Sequence, residues 1–224
     1  MRLFVPDLFG WGKADGDMGE RRGESKGRLV RKGAHPHLRG AAAGAFPDTP
    51  TRRESPNMAS LYAVTVPVFA NMLGNLDHLL GKAAASGIDE KALIEGRLAE
   101  DMLPLTKQVQ IACDTAKFAA KRIADVDAPS MADDETTIAQ LRERIARTVA
   151  YLNSVDAAAF EGREDATVVL KVRDKDMPFT ALSYATNFAL PNFYFHVATA
   201  YAILRMKGVA IGKMDYLAGA NAPA

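Results

Sequence analysis

Asn192, His196 and Thr199 fall at i, i+4 and i+7 of an apolar stretch near the C-terminus. On a helix turning roughly 100° per residue, His196 lies about 40° and Thr199 about −20° from Asn192, so the three share one face. Polar groups on the inner face of an apolar helix are costly to bury unless they are partnered. Gln108 is the natural partner. It lies roughly 75° from the centre of its own helix's apolar stripe, whereas Gln110 points well away from it. Two chemistries fit such a set. One is a neutral hydrogen-bond network that fixes helix register. The other is a pocket for a small polar ligand or a metal, with His196 as ligand or general base.

Other chemical signals are weaker. Gly208 to Lys213 has the look of a phosphate loop, but only three residues separate its glycines and Met214 stands where a hydroxyl should bind magnesium. Helix capping and a turn explain those glycines. His35 and His37 lack nearby acids. His78 follows Asp77 at the end of a helix and reads as solvated or capping. Cys113, the single cysteine, sits among small apolar residues and reads as a buried, inert thiol. It removes any intramolecular disulfide framework and any cysteine-based zinc site. No Ser-His-Asp arrangement can be assembled from spacing.

The elements that must position these residues are helices. Leu61, Val64, Val68, Met72, Leu76 and Leu79 recur in steps of three and four after Ser60, a plausible N-cap, with Pro67 expected to kink the helix. A second helical stretch begins after Asp89. Its stripe runs Leu98, Met102, Leu105, Val109, Ala112, Ala116 and Ile123, and Pro104 divides it into a short helix, a bend and a long helix to about Ala124. The third helix spans about Thr136 to Ser154, with Arg142, Glu143, Arg144 and Arg147 as its solvated face. Asp133, Asp134 and Glu135 precede it, where the macrodipole favours negative charge. Thr167 to Arg173 alternates and is followed by Asp174-Lys175-Asp176, which predicts a small hairpin. Phe179 to Met206 is helical and apolar nearly all round, holds seven of the 17 aromatics, and should be kinked by Pro191.

These elements predict an all-α, up-down-up-down four-helix bundle with a small β excursion before the last helix. Residues 1–57 differ in kind. They carry 11 Lys+Arg against 7 Asp+Glu, a net of +4, with 9 of the 17 Gly and 5 of the 11 Pro. They lack a helical or alternating apolar period, and we read them as a disordered extension, with Met58 as the natural start of the fold. The bundle spans 58–218, with a disordered tail over 219–224. Residues 58–224 carry 17 Lys+Arg and 20 Asp+Glu, a net of −3, which discourages a nucleic-acid role. No run reaches the roughly 18–20 apolar residues of a membrane span, and the chain is expected to be cytoplasmic.

Several runs are familiar as a set: Asp101-Met102-Leu103-Pro104-Leu105-Thr106-Lys107-Gln108-Val109-Gln110, Leu190-Pro191-Asn192-Phe193-Tyr194-Phe195-His196, Ala200-Tyr201-Ala202-Ile203-Leu204-Arg205, Gly208-Val209, and Gly212-Lys213-Met214-Asp215-Tyr216-Leu217. In order and over about 58–218 they resemble the domain-of-unknown-function family numbered nineteen ninety-three, which is grouped with the DinB/YfiT-like four-helix bundles. The resemblance implies a homodimer. Some of these relatives bind a divalent metal through three histidines and act as thiol-dependent transferases or hydrolases. Counting back from Leu204-Arg205, two of those positions fall on Asn192 and His196, and the third aligns with Gln108, so only His196 matches. Neutral amide oxygens in place of two imidazoles make a weak site for zinc or nickel.

The expected function is therefore a dimeric small-ligand-binding or structural module with a degenerate metal site. Gln108, Asn192, His196 and Thr199 are the candidate ligand-binding residues, and no cofactor is expected. One alternative is a metal-dependent thiol transferase or hydrolase with a divalent metal at His196. The other is a nucleic-acid-associated protein acting through the basic N-terminal segment.

Overall fold

A computed structural model describes residues 59–172 and 175–222. The expected extension over 1–57, Met58 and the expected turn residue Asp174 lie outside the described residues. Helix α1 (Leu61–Ala84) begins where the Ser60 hydroxyl accepts the Ala63 N–H at 3.2 Å. It runs through Pro67 as one α-helix. The short α2 (Glu90–Ile94) is capped by Asp89, whose carboxylate accepts the Ala92 N–H at 2.9 Å. The chain then bends before α3 (Leu105–Ala124), as Pro104 requires. Residues 96–104 are not helical, so Leu98 leaves the expected stripe and is 40% exposed. A capping box between Thr137 and Gln140 starts α4 (Ile138–Ser154).

The expected hairpin forms from β1 (Thr167–Val172) and β2 (Lys175–Thr180), paired antiparallel from Thr167 opposite Thr180 to Val172 opposite Lys175. The last helical stretch is not one regular helix. After α5 (Ala181–Tyr184) comes a π turn over Ala185–Ala189, in which the Leu190 N–H reaches Ala185 O, and then α6 (Leu190–Met206). Pro191 has no N–H to donate, and the i→i+5 register directly before it is where the ladder absorbs that loss. Packing between α1 and α4, α4 and α3, and α3 and α6 makes the expected four-helix bundle, but not in the up-down-up-down order, because α3 and α6 run antiparallel, with Gln108 beside His196 and Thr115 beside Asn192. Its interior is filled by Leu73, Leu76 and Leu80 of α1, Val109 and Ala116 of α3, Leu141 and Ile145 of α4, and Phe193 and Val197 of α6. Phe69 meets Phe193 edge-to-face at 4.8 Å, joining α1 to α6. Truncating one such residue, Leu76→Ala for example, should cost roughly 2–5 kcal/mol.

A further expectation is corrected. Arg144 is not on a solvated face: its side chain is 1% exposed. Its guanidinium donates to Asp114 at 3.0 Å, Asp133 at 3.0 Å, Glu135 at 2.9 Å and Ala132 O at 2.8 Å. Burial of so strong a cation is tolerated because carboxylates surround it. After Gly212 the chain forms α7 (Lys213–Ala218), and a 3-10 turn over Gly219–Asn221 follows. No side chain of α7 is buried, and polar bonds hold it to α1. Asp215 accepts from Lys82 and pairs with His78 Nε2, each at 2.9 Å, while Asn75 donates to Tyr216 O and Leu217 O, each at 3.0 Å. Gly219, with φ +56°, lets the chain pass directly against Asn75, where a Cβ would collide.

Candidate functional site

The residues singled out by spacing lie where α3 crosses α6. Leu103 O, just ahead of α3, has no helical partner and accepts from Gln108 Nε2 at 2.9 Å. That bond orients the amide so that Oε1 faces α6, where it meets His196 Nδ1 at 2.7 Å. With Oε1 as acceptor, Nδ1 must carry the proton, and Nε2 keeps its lone pair. Gln108 is 1% and His196 6% exposed. Burial alone pulls the imidazole down to about 4, so the ring is neutral at physiological pH. Phe195 stands edge-on to it, with ring centroids 5.2 Å apart.

The four expected site residues do not converge as one set. Gln108 and His196 do. Asn192, half-buried one turn earlier, donates instead to Thr115 Oγ1 at 2.9 Å. Thr199 turns back on its own helix and donates to Phe195 O at 2.7 Å. The result is a ladder of two polar rungs between antiparallel helices, Gln108 to His196 and Thr115 to Asn192. Spacing analysis missed Thr115, although it lies seven residues after Gln108 and hence on the same face of α3.

The metal implied by the resemblance was tested against this donor set, and the set does not fit. Gln108 Oε1 is taken by the His196 N–H, the Asn192 amide N–H₂ points at a hydroxyl, and one imidazole nitrogen remains. A borderline divalent ion needs more nitrogen or sulfur than that. Among the described residues no three His, Cys, Asp or Glu side chains gather as a metal site. The glycines after α6 form no phosphate cradle, because Asp215 Oδ2 takes the Gly212 N–H at 2.7 Å. His78 is a partner of Asp215 rather than a purely solvated side chain. Cys113 is fully buried, and desolvation pushes its thiol up to about 12, as an inert thiol requires.

Four helices, a hairpin ahead of the last and a polar crossing of α3 with α6 define a DinB-like helical protein. The fold is similar to that of the crystallised DinB family member from Shewanella denitrificans. The two are 42% identical, the match covers 70% of this chain and 91% of that one, and the TM-score is 0.64. The chain belongs to the family described as Domain of unknown function (DUF1993), whose profile matches residues 61–217. A comparison with curated proteins returns no match. Among the described residues no helix is long and apolar enough to cross a membrane.

Proposed function

We propose that the protein is a dimeric small-ligand-binding or structural module in which a neutral polar ladder occupies the place of a metal centre. The observation that carries this reading is the 2.7 Å bond from buried, uncharged His196 Nδ1 to Gln108 Oε1. It spends the amide oxygen that a metal would need. The group left over is the His196 Nε2 lone pair, which makes no hydrogen bond to a described residue and suits a small neutral donor such as an alcohol or amide. Gln108, Asn192 and Thr199 shape the surroundings through the bonds given above. Dimerisation finds support on the outer face of α6, where Tyr194, Phe195 and Met206 are 37%, 55% and 51% exposed.

Calorimetric titration of the full chain with zinc, nickel and manganese chlorides is the test. The reading expects no stoichiometric binding that His196→Ala abolishes. One ion per chain, lost in that variant, would overturn it in favour of the metal-dependent transferase. Light scattering on the wild type and on Phe195→Arg tests the dimer, which the substitution should dissociate. A monomeric wild type would remove dimerisation from the proposal.

A further inference from the structure

The segment between α3 and α4 has unusual anchoring. From Asp125, which leaves α3 in the left-handed region at φ 57°, to Thr137, no side chain is fully buried. No backbone–backbone hydrogen bond among the described residues ties 127–135 to the bundle. Polar side chains hold it instead. Asp133 pairs with Arg144 at 3.0 Å and Lys107 at 3.1 Å, and Glu135 pairs with Arg144 at 2.9 Å and accepts from Gln110 Nε2 at 2.7 Å. Lys121 pairs with Asp127 at 3.3 Å. The cage at the centre is incomplete: Arg144 Nε and Gln110 Oε1 are buried and make no hydrogen bond. A buried donor and acceptor left open each weaken the closed arrangement.

What lies beneath the segment is specific. Met131 Sδ lies 3.8 Å from Thr148 Oγ1, and the Cys113 thiol lies beside the same hydroxyl. The Thr148 hydroxyl donates its one proton to Arg144 O at 2.9 Å, one turn back on α4. Met131, Thr148 and Cys113 therefore form a line running inward from the strap through the α3–α4 seam. On the near side Asp114 joins Arg144 to Lys117, whose side chain is 3% exposed.

We propose that residues 126–136 are an electrostatically latched strap, with Arg144 as the latch, whose opening uncovers Cys113 while the four-helix bundle stays folded. Regular structure and full apolar burial hold the helices together, whereas the strap has neither and offers only the partly buried Val126 and Met131. Its opening should therefore be a separate, low-energy event that charge removal promotes. Opening frees Arg144 from Asp133 and Glu135 but leaves it paired, with Lys117, to Asp114 on α3.

The single cysteine makes the test clean. The full chain is mixed with 5,5′-dithiobis(2-nitrobenzoate) at about pH 8. The Cys113 thiol loses its proton to buffer, its sulfur attacks the reagent's disulfide to form a mixed disulfide, and one thionitrobenzoate anion leaves and is read by absorbance. Asp133→Asn weakens the pairs with both Arg144 and Lys107 and should raise the rate about tenfold, and Lys107→Ala, which removes only the exposed one, about threefold. Arg142→Ala breaks an exposed pair with Asp77 elsewhere on α4 and should leave it unchanged. Urea well below the unfolding midpoint should alter the wild-type rate little, since strap opening exposes little surface. A rate with the full urea dependence of global unfolding, or one that Asp133→Asn and Lys107→Ala leave unmoved while Cys113 remains protected, would overturn the proposal. So would a wild-type rate equal to that of the unfolded chain.

Discussion

Acid titrates the ladder, and His196→Gln isolates the effect. In the folded chain burial holds the His196 imidazole down at about 4, against an ordinary value of 6.5 that the unfolded chain should approach. Above 6.5 both states are neutral, and the ring adds no pH dependence. Between 6.5 and about 4 the unfolded chain binds a proton that the folded chain refuses, so stability falls as pH falls through this window. The loss amounts to about 1.4 kcal/mol for each tenfold difference in proton affinity, hence roughly 3 kcal/mol by pH 4. A glutamine at 196 has an N–H₂ that can still donate to Gln108 Oε1, but it does not titrate. Urea unfolding followed by circular dichroism, on both proteins between about pH 7 and pH 4, gives the difference directly. Carboxylates common to the two cancel. The wild type should lose roughly 3 kcal/mol relative to His196→Gln, with about half of that gone by pH 5.5. A difference that stays flat across the range would mean that the ring is hydrated or already charged, and the reasoning from burial would be wrong.

Arg144→Met should destabilise by about 3–5 kcal/mol in urea, because it strands carboxylates of Asp114, Asp133 and Glu135, whereas Arg142→Met at the exposed Asp77 pair should cost under about 1 kcal/mol. Thr115→Val removes the acceptor of the half-buried Asn192 amide and should cost about 1 kcal/mol, with His196 keeping its depressed proton affinity when followed by NMR. Asp215 is held well below the usual carboxylate range by its bonds to His78, Lys82 and the Gly212 N–H. The stability it lends is therefore present above the ordinary value of 3.8 and lost as pH falls through the folded one. Asp215→Ala should release α7 first, seen as faster amide exchange confined to residues 212–221.

Helix period made the bundle legible. Ser60 and Asp89 cap where their side chains permit, and the angular position of Gln108 pointed correctly at His196. Features resting on long-range polar contacts were not legible. Arg144 carries the charge of a surface residue, and only the approach of Asp114 on α3 and of Asp133 and Glu135 on the strap makes its burial tolerable. α7 buries no side chain, so no apolar stripe announces it, and its anchor at Asn75 lies far away in sequence. Asn192 was grouped with His196 because both share a face. One helical turn along α6 was enough to hand it to Thr115 instead.

The central claim concerns one proton on one ring, and long-range proton–nitrogen-15 correlation of the His196 imidazole tests it most directly. The account predicts a neutral ring at pH 7 with its proton on Nδ1, shared with Gln108, and nitrogen shifts unchanged when zinc is added in excess. A ring protonated on Nε2, or nitrogen shifts that move with one equivalent of zinc, would contradict it.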